Sequence, residues 1–189
     1  MNWHKPAAVL LAFLGTTVAA VAAPSTAAAA DNGPWEINPA SYGAACLEVA
    51  GGTTALSGQV QIWTCATITT TGVTPLHQRW IFRSTSSGYY RLVNGKTGMC
   101  MNIKGSTDVN STKIIQYTCG SSSTLNDQWY PRKMKTVAGF DYYRFESRLN
   151  PAKCLNVQGN STANGTDIIL YTCGTGNNNI FTWFPAKQA

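Results

Sequence analysis

Apolar and polar residues alternate along most of the chain in short runs, and the runs are separated by clusters of Gly, Ser, Thr and Asn. A period of two is that of a strand with one face buried, and the intervening residues are turn formers. In the middle of the chain the runs are Tyr90-Arg91-Leu92-Val93, Cys100-Met101-Asn102-Ile103, Lys113 to Cys119, and Gln128-Trp129-Tyr130. Four strands are expected there. On the third strand of the equivalent stretch nearer the N-terminus, the alternation sends Val60 and Ile62 to a core and Gln61 and Trp63 to the opposite face. The equivalent split at the C-terminal end puts Ile168 and Leu170 inward and leaves Ile169 and Tyr171 outward. Beyond the N-terminal segment, no window carries a helical period long enough to compete.

The pattern repeats. Cys46, Cys100 and Cys154 are spaced by 54 positions, and so are Cys65, Cys119 and Cys173. CMNIKGSTDVNSTKIIQYTCG and CLNVQGNSTANGTDIILYTCG agree at about half their positions, and the diverged first copy, CLEVAGGTTALSGQVQIWTCA, keeps the frame. All three hold a glycine (Gly51, Gly105, Gly159) and an aromatic two residues before the second cysteine (Trp63, Tyr117, Tyr171). A four-stranded unit of this length cannot bury its own apolar face, so three such units must share a core, and closure about a pseudo-threefold axis removes exposed edges. The expectation is an all-β chain folded as a β-trefoil, with copies at about 35–83, 84–134 and 135–189. A β-propeller is the competitor, and it would need at least four blades.

Composition adds a compartment. Met1 to Lys5 is a short positive start, Ala7 to Ala23 is almost wholly apolar, and Ala28-Ala29-Ala30 supplies small residues for cleavage. Residues 1–30 therefore read as a signal peptide and 31–189 as one exported, soluble domain. The cysteines all follow the cleavage point, are even in number and contain no C-x-x-C, which favours disulfides over a metal or redox pair. The recurrent gap favours local bridges, Cys46–Cys65, Cys100–Cys119 and Cys154–Cys173, each contributing about 3 kcal/mol by constraining the unfolded chain. The charge of +6 is a mild excess. Its one cluster, Arg132-Lys133-Lys135, lies beside Pro131 without interleaved stacking aromatics, which reads as a solvated loop and not a nucleic-acid surface.

Candidate chemistry centres on the outward residues. An aromatic ring offers a flat, polarisable surface to the C–H face of a sugar; the alternative is that the following loop covers it. Two residues after each first cysteine stands a polar group, Glu48, Asn102 or Asn156, of a kind able to hold adjacent hydroxyls or to bond a neighbouring loop. Catalysis is poorly supplied. His77 is the one histidine beyond the leader, no nucleophile motif accompanies it, and no metal-ligand spacing or cofactor motif occurs.

These residues resemble those of the ricin B-type lectins and family 13 carbohydrate-binding modules, over about Trp35 to Phe184. The shared pattern is a cysteine followed at the second position by Asp, an aromatic two before the next cysteine, and a closing Gln-x-Trp. Here the close is Gln78-Arg79-Trp80, then Asp127-Gln128-Trp129, then Phe181-Thr182-Trp183. The resemblance implies that Trp80, Trp129 and Trp183 pack in the core. It places sugar contacts at Glu48, Gln61, Trp63, His77 and Gln78 in copy one; at Asn102, Ile115, Tyr117, Asn126 and Asp127 in copy two; and at Asn156, Ile169 and Tyr171 in copy three, with Ile180 and Phe181 where polar residues belong. No copy has the family's Asp. A swapped clamp is expected in copy two if Asn102 and Asp127 touch, and the copies rank one, two, three. The implied protein is a secreted, monomeric, non-enzymatic binder of a polysaccharide or cell-surface glycan, without cofactor or metal and without a nucleic-acid or membrane-inserting role. A protein-interaction or inhibitor trefoil is the alternative.

Overall fold

The computed structural model describes residues 31–66 and 72–188. The proposed signal peptide lies outside the described residues. Among the described residues twelve strands follow one another: β1 (Asp31–Pro39), β2 (Ala45–Val49), β3 (Val60–Thr64), β4 (Trp80–Ser84), β5 (Tyr90–Asn94), β6 (Cys100–Ile103), β7 (Thr112–Tyr117), β8 (Trp129–Val137), β9 (Phe140–Ser147), β10 (Lys153–Val157), β11 (Thr166–Thr172) and β12 (Phe181–Pro185). The first and fourth strands of the copies close a six-stranded antiparallel barrel. Its pairs run β1 to β4, β4 to β5, β5 to β8, β8 to β9, β9 to β12, and β12 back to β1. The remaining strands form three hairpins, β2–β3, β6–β7 and β10–β11.

The hairpins meet one another with threefold regularity. Gln59 bridges Ile115, Lys113 pairs with Ile169, and Asp167 pairs with Gln61, each contact being the previous one advanced by a copy. This is the β-trefoil arrangement. Each copy places its first and second cysteine sulfurs at bonding distance, joining Cys46 to Cys65, Cys100 to Cys119 and Cys154 to Cys173.

The core is assembled from equivalent positions. Leu47, Met101 and Leu155 are fully buried, as are Val49, Ile103 and Val157, and Val60, Ile114 and Ile168. Burying such side chains contributes roughly 1.5–3 kcal/mol apiece. One position breaks the symmetry: Ile62 and Leu170 are matched by Gln116, also fully buried. Its amide is satisfied, as a buried polar group must be. Nε2 donates to the carbonyls of Thr53 and Ala55, and Oε1 accepts from Thr97.

Two expectations are corrected here. Trp80 and Trp129 are core residues whose indoles donate to the carbonyls of Leu47 and Met101, but Trp183 is not their counterpart. Phe181 pairs across the barrel with Pro39 as Trp129 pairs with Ser147, and it is fully buried. Trp183 is only partly buried and stacks on Tyr143 at 4.2 Å. The connection before β12 is two residues shorter than its copy-two equivalent, which slides the tryptophan past the core position. The basic cluster, in turn, is not in a loop. Pro131 is accommodated within β8, where Arg132 pairs with Glu146, Lys133 with Asp141, and Lys135 lies over the Tyr142 ring. These cations are matched locally, and at exposed positions such pairs contribute little stability.

Candidate functional site

Each copy carries a cavity beside its hairpin. Cavity one, about 410 Å³, is walled by Glu48, Trp63, Thr64, Pro75, His77 and Gln78. Cavity two, about 520 Å³, is walled by Asn102, Lys104, Ser106, Ile115, Tyr117 and Asn126, together with Ser57 from copy one. Cavity three, about 430 Å³, is walled by Asn156, Gln158, Ile169, Tyr171 and Asn178, together with Ser111 from copy two. The strand alternation explains the layout: in β3, Val60 and Ile62 point to the core while Trp63 emerges at the rim. The rings are not covered by a loop, for Trp63 is 44% exposed and Tyr117 and Tyr171 are each 43% exposed.

At cavity one the floor is an ion. Glu48 is only 3% exposed. Its Oε1 accepts from Gln61 Nε2 at 3.0 Å, its Oε2 from Gln78 Nε2 at 2.9 Å, and His77 Nε2 lies 3.4 Å from Oε2. Burial alone would push the carboxyl up, but donors from His77, Gln78 and Gln61 outweigh it and hold the group below the ordinary glutamate value. A carboxylate has about four lone-pair positions, so the three donors leave one acceptor position on a residue that lines the cavity. Gln61 sits behind Glu48 and fixes it, and is not on the wall.

In cavities two and three the floor is neutral. Asn102 Oδ1 accepts from Asn126 Nδ2 at 2.9 Å, and Asn156 Oδ1 accepts from Asn178 Nδ2 at 3.2 Å. One bond uses one of the two lone pairs on each oxygen, so Asn102 and Asn156 can offer an amide N–H₂ donor as well as the remaining acceptor position. Ile115 and Ile169, both buried, replace Gln61.

Asp127 does not join this cluster. It is fully buried, its Oδ2 accepts from Arg91 Nε at 2.8 Å and from the Gly120 amide at 2.7 Å, and it lies off the cavity wall. The expected swapped clamp with Asn102 is therefore corrected: the Arg91 guanidinium neutralises the carboxylate and holds it for structure. Gln78 shares part of that duty, accepting from the Ala66 amide. The third member of the set is Asn179, which accepts from the Gly174 amide.

The same register shows what sequence reasoning missed. Copy three does not lack its polar pair: Asn178 and Asn179 hold the positions of His77–Gln78 and Asn126–Asp127, whereas Ile180 and Phe181 belong to the core. The signal was available in the Asn177-Asn178-Asn179 run. Once Phe181 is taken as the closing core residue, Asn179 falls two positions before it, as Gln78 does before Trp80. Ser57, Lys104, Ser106 and Ser111 were also missed; they lie in turns or in the short 3-10 helix Lys104–Ser106, where strand alternation gives no direction.

No curated protein matches the chain. Among solved structures, the designed threefold-symmetric protein ThreeFoil is 22% identical, with a TM-score of 0.69 over 80% of this chain and 98% of its own. An exo-β-1,3-galactanase from Clostridium thermocellum is 24% identical, with a TM-score of 0.69 over 82% of this chain and 30% of its own; the chain thus spans under a third of that enzyme. The Macrolepiota procera ricin B-like lectin, solved with lactose, is 14% identical, with a TM-score of 0.64 over 84% of this chain and 96% of its own. These likenesses bear on the fold. The family model for the ricin-type beta-trefoil lectin domain-like group matches residues 76–171, just over half the chain and across the boundaries of all three copies, and the chain belongs to that family.

Proposed function

We propose that the chain is a secreted, non-catalytic lectin that holds a polysaccharide or cell-surface glycan in three shallow aromatic-plus-polar cavities. The observation that carries this reading is the threefold recurrence of a half-exposed ring beside a buried, fixed polar floor: Trp63 with Glu48, Tyr117 with Asn102, and Tyr171 with Asn156. Rings at the rim accept the apolar face of a pyranose, and the floor takes its hydroxyls. Lactose in the Macrolepiota procera lectin and the galactan specificity named for the Clostridium enzyme support a carbohydrate ligand. Several weak sites on one rigid body gain avidity on a polymer, because a second contact is intramolecular, which favours a polymeric glycan over a free monosaccharide.

Residues 1–30 act as the export signal in this reading, and the oxidised, monomeric product carries one bridge per copy, a pairing that peptide mass mapping tests. The competing role, a protein-interaction trefoil, draws on Val137 and Phe140, which stand exposed at the β8–β9 turn. The deciding experiment is a glycan and polysaccharide array, including lactose and β-1,3-galactan, probed with the oxidised protein and with Trp63→Ala and Tyr117→Ala. Binding that both substitutions weaken upholds the assignment. Binding indifferent to both would move the site elsewhere, and a blank array would favour the protein-interaction role.

A further inference from the structure

Resting on that lectin reading, we infer that each sugar cavity is built across a copy boundary, and that the residue lent by the preceding copy, at positions 57, 111 and 165, sets its specificity. The three positions are related by the 54-residue repeat and share one unusual backbone. Ser57 has φ 64°, Ser111 φ 67° and Gly165 φ 82°. Glycine enters that left-handed region freely, whereas serine is disfavoured there. Two copies nonetheless hold serine, and held strain of this kind clusters at functional sites.

The anchoring is equivalent in all three. The Ser57 amide donates to the Gln116 carbonyl on β7, the Ser111 amide to Leu170 on β11, and the Gly165 amide to Ile62 on β3. Each acceptor lies immediately before the rim aromatic of the receiving copy. The turn is thereby tied to the strand that presents Tyr117, Tyr171 or Trp63.

Copy two adds a clamp. The buried Gln116 side chain holds the carbonyls of Thr53 and Ala55, and the Gln116 amide donates to Gly58, so the turn that carries Ser57 is fastened along its length. This accounts for a glutamine where the other copies bury Ile62 and Leu170. The other turns are stitched by Asn110 to Thr172 and by Asn164 to Thr64. With the backbone fixed, Ser57 and Ser111 line cavities two and three, and a serine hydroxyl both donates and accepts. At Gly165 a Cβ would stand 3.9 Å from the Trp63 ring and 4.0 Å from Gln61 Oε1. Cavity one therefore has room for the same hydroxyl and lacks it.

The test uses the full oxidised protein on the array of neutral mono-, di- and polysaccharides that includes lactose and β-1,3-galactan. In a Trp63→Ala/Tyr171→Ala background only cavity two keeps its ring. There, Ser57→Gly removes the hydroxyl and leaves a residue that suits the backbone, and it is expected to weaken binding about three- to tenfold, the worth of one hydrogen bond, with the circular-dichroism spectrum unchanged. Conversely, Gly165→Ser in a Tyr117→Ala/Tyr171→Ala background is expected to move the glycan ranking of cavity one toward that of cavity two. Binding within twofold of the parent after Ser57→Gly, where Tyr117→Ala abolishes it, would overturn the inference and leave the lectin reading standing. An array blank even for the unsubstituted protein would overturn both.

Discussion

Cavities one and two share a frame and differ in chemistry. Both place a ring at nearly the same exposure, 44% and 43%, beside a floor two residues beyond a disulfide cysteine. Yet the first floor is a carboxylate, an acceptor only, clasped by three donors, while the second is a pair of amides bonded to each other that offer donors as well as acceptors. The position that supports Glu48 in copy one, Gln78, is in copy two an aspartate drawn away to Arg91. The backbone symmetry thus survives divergence that the ligand chemistry does not. Alternation and hydrogen-bonded hairpins fix where a side chain points, and one or two substitutions decide whether it presents acceptors alone or a donor as well.

The most damaging way to test this comparison is to remove the frame the cavities share. Trp129→Ala empties a fully buried core site and should cost about 3–5 kcal/mol in a urea titration, enough to take both cavities together; a cavity-two defect alone would show that the frame is not common. Next comes the pair that distinguishes the copies. Arg91→Ala strands the buried Asp127 carboxylate and should destabilise the fold by about 3 kcal/mol, whereas Gln78→Ala at the equivalent position should cost about 1–2 kcal/mol. Equal losses in the two would mean that Asp127 is no more structural than Gln78.

The floor itself offers a pH contrast. Because the folded Glu48 carboxyl is held below its ordinary value of 4.5, its ionised form persists as pH falls to that value and is lost only on passing through the lower folded value. Cavity one should therefore keep its affinity from neutral pH through 4.5 and lose it only as pH falls through the lower folded value. Glu48→Gln, which exchanges a charge-assisted acceptor for a neutral one, should weaken it about fivefold to tenfold at pH 4.5 and above, and the difference should shrink once Glu48 is itself protonated. Calorimetric titration in a Tyr117→Ala/Tyr171→Ala background reads both effects. Smallest in stability is Trp63→Ala, expected at about 0.5 kcal/mol because the ring is half-exposed at the rim and outside the core; a much larger loss would make it a packing residue.

Much of this was legible before any coordinates. Three copies, their cysteines, the inward set Val60, Ile62, Ile168 and Leu170, and the outward rings followed from period and spacing alone. The failure in copy three has one physical source, an anchor read by residue type when the core reads volume and register. Phe181 fills the space that Trp80 and Trp129 fill, so matching tryptophan to tryptophan slid copy three by two residues and hid Asn178 and Asn179. Pro131 looked like a strand break, but a paired strand tolerates proline where its missing donor is not needed. Gln116 and Ser57 were out of reach because their roles depend on contacts between copies.

The pairing of β12 with β1 makes the molecule a ring in which no copy is topologically first. Severing it at the Ala138-Gly139 turn, and joining the outer strands through a spacer, yields a circular permutant with every ladder intact. Deleting one copy is a different matter, since the neighbour that borrowed its turn would be impaired as well. Such a protein is free to change where its polypeptide starts, but not how many units it has.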